Sequence, residues 1–489
     1  MVTFFVSVFL LFIGYIFYSK AAEKIFSPDS RLTPAVALAD GVDYTPLPQW
    51  KAFLIELLNI AGTGPIFGAV SGALFGPVVY IWIVAGCILG GAVHDYYTGM
   101  ISSRNAGGSI VVLAEKYLGR LMKIIMTVFS VLLLILVTAV FVVSPSSLLE
   151  SLTGGHVHAA AFMVLILAYY LLATLLPIDK LIGKAYPVFG IILIVMAVSV
   201  IGGILFRQDV YFLPELVGHF KDYSELNGGL PWWPFMFTTV ACGAMSGFHA
   251  TQSPMIAKCI QNEKQGRRVF YGAMVAEGVI ALIWAAAAIA FFRVDTTDGW
   301  HLLSNCGGGN SSTVYEISKG VLGPLGSVLA VVGVVICPIT SGDTALRSCR
   351  LILGEIFHIN QKPIKKRLLL TLPLFCIIVV ISVWNFIDAD NFNILWRWFA
   401  WSNQTLAVVA LAVCTVYLMK SGKYRYGSLI TALPTAFMCS VVVTYIFGEP
   451  NIALGKFIPL PVAIGIGAFA GVLLLAVYFV MLFKNLKNK

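Results

Sequence analysis

Long apolar runs alternate with short polar stretches rich in Lys and Arg along the whole chain. Residues 2–19 are apolar and long enough to span a bilayer. A polar segment with Pro28, Pro34, Pro46 and Pro48 follows at 20–48. Further apolar runs occupy 49–76, 78–98, 122–145, 159–177 and 185–206, then 232–254, 269–292, 324–346, 367–385 and 395–418, and finally 427–447 and 460–483. A crossing helix needs roughly 20 apolar residues, so the pattern predicts about thirteen membrane helices.

Two of these runs are interrupted, the first by AGTGP at 61–65 and the second by ACGAMSGFHATQSP at 241–254. Gly and Pro at membrane depth leave backbone groups without helical partners. Lipid cannot satisfy them, so a break persists only where protein or a polar cavity covers it. Exposed amides at a half-helix N-terminus favour anions, and freed carbonyls favour cations. Small residues at Gly68, Gly72 and Gly76 let neighbouring helices approach closely. Taken alone, either interruption also reads as a simple kink.

Position changes that picture. From residue 49 the spans form two groups of five, and each group opens with an interrupted helix. An odd number of crossings per group reverses its membrane orientation, so the groups would form an inverted repeat. Paired broken helices at corresponding positions mark the central site of such transporters. The expected organisation is an N-terminal anchor helix with a polar connector (1–48), a first repeat (49–206), an extracellular connection (207–231), a second repeat (232–418) and two C-terminal helices (419–489).

Charge supports this topology. Basic residues gather at Arg104, Lys116, Arg120 and Lys123, at Lys258, Lys264, Arg267 and Arg268, at Arg347, Arg350, Lys362, Lys365, Lys366 and Arg367, and at Lys420, Lys423 and Arg425. All fall on one side if the N-terminus is outside and the C-terminus is cytoplasmic, as the positive-inside rule requires. Lys20 and Lys24 follow the first span, which reads as an uncleaved anchor rather than a signal peptide. The 347–367 connection is expected to hold a short amphipathic helix, and 293–323 to be a Gly/Ser/Asn loop on the opposite side.

The chain is 59% hydrophobic and 11% charged, against roughly 25% charged in soluble domains, and its mean hydropathy is +0.90. This is the composition of an all-α polytopic membrane protein. The net charge of +9 is accounted for by orientation and by lipid headgroups, without a nucleic-acid partner. The nine Cys show no Cys-x-x-Cys and no zinc-type spacing, so no disulfide framework and no metal site is read. P-loop, Gly-x-Ser-x-Gly and His-Glu-x-x-His motifs are also missing, which argues against an enzyme and for uptake driven by a proton or sodium gradient, with no other cofactor.

Four polar clusters inside the spans are candidates, because intramembrane ionisable residues usually face the bundle or a cavity. His94 and Asp95 could relay a proton, gate the vestibule, or tie helix ends together near the interface. Ser246, Gly247, Phe248 and His249 at the second break could hold substrate, or His249 could satisfy freed carbonyls. Thr340, Ser341, Asp343 and Thr344 offer oxygen ligands to a hard cation, although Asp343 could instead accept a proton or pair with Arg347. Glu56, before the first break, could line the cytoplasmic approach, and Glu277 could pair with a neighbour.

The strings AGTGP (61–65), GGAVHD (90–95), ACGAMSGFH (241–249) and TSGDTALR (340–347), with DGVDY at 40–44, resemble the carbon starvation protein A family. Longer members carry a His pair shortly before the first break, where this chain has Ile55 and Glu56. The resemblance implies a bacterial inner-membrane transporter of the amino acid–polyamine–organocation superfamily. Its fold would be a LeuT-like five-plus-five inverted repeat with one extra N-terminal and two extra C-terminal transmembrane helices. The implied cargo is short peptides, or alternatively pyruvate or another small carboxylate. A membrane-embedded nutrient sensor is the alternative of another class. By resemblance Gly62, Gly64, Gly247 and His249 would frame the substrate, joined by Thr63, Ser246 and Phe248. His94, Asp95, Thr340, Ser341 and Asp343 would serve coupling or gating.

Overall fold

In lipid every backbone polar group must find a partner inside the protein, and long apolar runs do so as helices. The computed structural model describes residues 1–41, 43–175, 178–220, 223, 230–306, 311–361, 363–421, 423–424, 426–452 and 454–487. Of the basic residues expected on one face, Lys362 and Arg425 lie outside the described residues, as does most of 221–229.

The chain begins with α1 (Val2–Phe26). The first interrupted crossing is α2 (Gln49–Ala61) followed by α3 (64–75), and a turn at Gly76 leads into α4 (77–104). A short surface helix, α5 (Ile110–Leu118), precedes α6 (Arg120–Leu152), α7 (Ala159–Leu175) and α8 (Ile178–Phe206). The second interrupted crossing is α9 (Trp232–Thr239) and α10 (His249–Ala257), followed by α11 (Glu263–Phe292). After α12 (Thr297–Asn305) come α13 (311–322) and α14 (324–356), then α15 (Ile364–Ile387), α16 (Ala389–Ser421), α17 (Leu429–Gly448) and α18 (Leu460–Lys487).

Among the described residues, ten helical stretches are long and apolar enough to cross a membrane, and α7 is a shorter apolar helix. The two remaining expected crossings are the interrupted ones, whose halves are too short to span alone. The broken helices sit at the centre: α3 packs on α11, α10 packs on α4, and α2 packs on both α10 and α11. Around them, α6 lies along α14 and α17 along α18. Of the long spans α11 is the most buried and the C-terminal one the least, so the functional core is built from the two breaks and their immediate partners.

The polar segment before the first break is a strap across one face. Leu32 and Leu47 pair with Asn262 and Ile260, and the Thr33 hydroxyl donates to the Ile260 carbonyl at 2.6 Å. Arg104 donates through Nε and Nη2 to Glu263, each bond at 2.8 Å, and the Asp29 amide donates to the same carboxylate at 3.0 Å. Hydrogen bonds from Arg31 hold the Asp29 carboxyl below the usual carboxylate range. The start of α1 lies at the other face, where the Thr3 hydroxyl donates to Glu215 at 2.6 Å.

Three expectations are corrected. Among the described residues the 347–367 connection holds no separate amphipathic helix, because α14 continues to Ile356. Arg347 and Arg350 are therefore fully buried in that helix. Arg347 donates to the Ala173 carbonyl at 2.6 Å and Arg367 to the Leu175 carbonyl at 2.5 Å, so basic side chains satisfy the open C-terminal end of α7. Finally, the 293–323 stretch is not a plain loop, since it folds into α12 and α13.

Candidate functional site

The first break is made by Gly62, at φ 36° and ψ −150°. That backbone region favours glycine, and a Cβ there would lie 2.5 Å from the Phe141 ring. The interruption frees the Leu58 carbonyl and the Gly62 amide. Ser341 of α14 satisfies both: its hydroxyl donates to Leu58 O at 2.6 Å and accepts from Gly62 N at 3.1 Å. Thr63 and Gly64 continue the break. The Thr63 hydroxyl is buried without a partner, and Gly64 packs on Cys242 of the second break.

The second break runs through residues 240–248, between α9 and α10. Asn403 of α16 organises it, accepting from the Ser246 hydroxyl at 3.1 Å and the Phe248 amide at 2.6 Å through the same oxygen. Gly247 allows this approach, because a Cβ there would lie 2.1 Å from the Asn403 carbonyl oxygen. Phe248 stands edge-on to Phe141 of α6, ring centroids 6.0 Å apart, and the same Phe141 ring lies against Gly62 of the first break.

Beside the breaks lies a polar core drawn from four helices. Asp95 binds His94 Nδ1 through Oδ1 at 2.8 Å and His249 Nδ1 through Oδ2 at 2.9 Å. On the far side of the same ring, His249 Nε2 is 3.5 Å from Glu277 Oε2. Glu56 accepts from the Ser253 hydroxyl at 2.8 Å. All these side chains are fully buried. His94 and Asp95 are thus buried within α4, which runs on to Arg104. Several atoms here have no well-formed hydrogen bond: His94 Nε2, His249 Nε2, both Glu277 oxygens, Glu56 Oε2 and the Asn59 amide. Buried polar atoms left unpaired are costly, and a concentration of them marks a place where a ligand, ion or proton is accommodated.

Asp343 belongs to a second group. Its Oδ2 accepts from Tyr186 at 2.8 Å, and the same hydroxyl lies 3.2 Å from the Thr340 carbonyl. Thr340 and Thr344 direct their hydroxyls to carbonyls of their own helix. The structure therefore brings Glu56, His94, Asp95, His249 and Ser253 together, joins Ser341 to the first break, and gives Asp343 other partners. Sequence reasoning left Cys242, Asn403 and Tyr186 out of the site and treated Glu277 as incidental. Glu277 alone carried a usable signal, as a carboxylate inside an apolar span.

The polar-lined cavities at the two faces differ in size. A cavity of about 360 Å³ is lined by Ser71, Thr238, Asn393, Arg397, Tyr445 and Glu449 at the face opposite the strap. On the strap side the cavity between Gly107, Thr251, Lys258, Ser348 and Glu355 is only about 20 Å³.

The family model described as carbon starvation protein CstA matches residues 1–168, 154–299 and 307–445. The chain belongs to the CstA family. Similar proteins include a membrane protein of Haemophilus influenzae, 42% identical over 340 residues, which cover 60% of this chain and 92% of the relative. The peptide transporter CstA of Escherichia coli is 24% identical, covering 90% of this chain and 79% of its own. The pyruvate/proton symporter BtsT of the same organism is also 24% identical, covering 88% and 79%. Among solved structures, a mutant manganese transporter of Eremococcus coleocola superimposes with TM-score 0.58 at 14% identity, covering 92% of this chain and 99% of that one. MhsT in complex with L-phenylalanine gives 0.54 at 13%, covering 89% and 98%. The fold of this CstA-family chain is accordingly LeuT-like, and the protein is a multi-pass membrane protein.

Proposed function

We propose that this protein is a secondary transporter that imports short peptides across the bacterial inner membrane, driven by a proton gradient through alternating access. The single observation that carries the reading is the meeting of two broken helices beside a buried, incompletely bonded group of two His and three carboxylates. The face bearing the strap is cytoplasmic by the positive-inside rule, with the N-terminus outside and the C-terminus inside. The two five-helix repeats move against each other around the breaks, and the strap closes the cytoplasmic side.

Gly62, Thr63, Gly64, Ser246, Gly247 and Phe248 frame the substrate together with His249. The amides at the start of α3 and α10 suit a carboxylate, and the buried carboxylates suit an ammonium group. Arg397 and Glu449 in the outer cavity offer the same pair of charges to an approaching zwitterion, which favours a peptide over a simple carboxylate. His94, Asp95 and Glu56 carry the coupling proton. Thr340, Ser341, Asp343 and Thr344 act in gating, through the Ser341 latch on the first break. Protons are favoured over sodium because the buried group pairs imidazoles with carboxylates, which take and release protons, and imidazole nitrogen is a poor ligand for a hard cation.

A second reading is import of pyruvate with a proton, as the similarity to the pyruvate/proton symporter BtsT suggests. It needs only the half-helix amides and no acceptor for an amine. Counterflow of labelled dipeptide and of labelled pyruvate in proteoliposomes, under imposed proton or sodium gradients, separates these readings. Dipeptide accumulation driven by protons is expected. Accumulation of neither cargo overturns transport of both classes and leaves the sensor.

A further inference from the structure

The thiol of Cys242, the imidazole of His249 and the carboxylate of Glu277 come from the second break, the start of α10 and the middle of α11. One ligand atom from each lies within 4.8 Å of the others, and all three residues are buried. Their spacing in sequence, 242, 249 and 277, matches no linear metal motif, so only the fold assembles them.

We propose that Cys242, His249 and Glu277 form a binding site for a zinc-like divalent cation. Sulfur, imidazole nitrogen and carboxylate oxygen are each zinc ligands, and three protein ligands leave one position free for water or an exchangeable group. The thiolate sets the site against hard cations such as Mg²⁺. Zinc draws such ligands to roughly 2.0–2.3 Å from the ion, and the 3.5 Å between His249 Nε2 and Glu277 Oε2 already suits two ligands on one ion.

The surroundings point the same way. Asp95 accepts from His249 Nδ1 at 2.9 Å, which keeps the proton on that nitrogen and turns the Nε2 lone pair toward Glu277 and Cys242. A carboxylate behind a ligating His is the usual orienting partner in zinc sites. Neither His249 Nε2 nor either Glu277 oxygen has a well-formed hydrogen bond. A lone pair facing a carboxylate in a dry interior is unfavourable, and a proton or a metal ion between them relieves it. Cys242 makes weak contacts, to Ser246 Oγ at 3.4 Å and Asn403 Nδ2 at 4.0 Å. On binding, the Cys242 thiol proton passes to solvent, and thiolate plus carboxylate neutralise the ion's two charges. Bound there, the ion would tie the second break to α11.

The test uses the purified full chain in detergent, with Co²⁺ as spectroscopic probe and Zn²⁺ as competitor, and does not depend on transport. One equivalent of Co²⁺ is expected, with a near-ultraviolet thiolate-to-cobalt charge-transfer band that Zn²⁺ abolishes. Cys242→Ser should remove that band, and Glu277→Gln should weaken Zn²⁺ binding at least tenfold. Affinity should fall as pH falls, since the Cys242 thiol must lose its proton and His249 Nε2 must carry none. If Cys242→Ser does not fold, a variant with Cys306, Cys376 and Cys439, the cysteines that are not buried, all replaced by Ser must keep the band. A wild-type melting temperature raised by Zn²⁺ and not by Mg²⁺ is the second readout. No saturable Co²⁺ binding, a band that survives Cys242→Ser, or a band lost with the three accessible cysteines overturns the site.

Discussion

Asp95 and His249 share a 2.9 Å hydrogen bond, although 154 positions of sequence separate them. The bond joins the second helix of one five-helix group to the broken helix of the other. Any motion that carries the second break away from α4 must disrupt it, so the protonation of this pair and the position of the break are mechanically linked. Asp95→Asn should abolish accumulation driven by a proton gradient while counterflow exchange of substrate persists. Accumulation at the wild-type level in proteoliposomes would remove Asp95 from coupling.

His249 also faces the proposed substrate position. His249→Ala should raise the apparent Km of dipeptide uptake at least tenfold with normal amounts of protein in the membrane. An unchanged Km would take His249 out of the substrate site.

Ser341 is the contact between α14 and the first break. Ser341→Ala leaves the Gly62 amide and Leu58 carbonyl without their shared hydroxyl, and a lost buried hydrogen bond costs about 1–3 kcal/mol. The melting temperature should drop and uptake should slow, with substrate affinity changed less than rate. A wild-type melting curve would show that other groups satisfy this backbone.

Gly247 tests how close α16 must approach. The first side-chain carbon would sit 2.1 Å from the Asn403 carbonyl oxygen and 2.3 Å from the Ala407 amide nitrogen, both backbone atoms. Gly247→Ala must push α16 outward, at an overpacking cost of about 1–3 kcal/mol. Transport should fall by more than tenfold. Retained transport would mean that the helices part without consequence.

At the strap, Glu263 collects Arg104 and the Asp29 amide. Glu263→Gln weakens this latch, and the strap-side path should open more often. In a background lacking Cys306, Cys376 and Cys439, a membrane-permeant maleimide should then label the buried Cys259 faster. Labelling at the wild-type rate would assign the latch a purely structural role.

Much of this architecture was legible in the linear chain. Bilayer thickness sets the length of an apolar run, so the crossings could be read directly. Gly62 and the 241–254 string announced both breaks, because glycine and proline act on the local backbone whatever surrounds them. The sequence places Arg347 and Arg350 in a connection, since their charge outweighs hydropathy in any window, while the folded protein buries both, Arg347 against the Ala173 carbonyl at the end of α7 and Arg350 against Gln361.

The chain alone therefore determined which runs are apolar and helical and where two of them stop. Tertiary structure decided which faces meet: Asp95 with His249, His249 with Glu277 and Cys242, Ser341 with Gly62. Lipid is as apolar as a protein interior, so a membrane helix carries no amphipathic stripe to say which side turns inward. That choice emerges only when small residues and buried polar groups of distant segments find one another in the packed bundle.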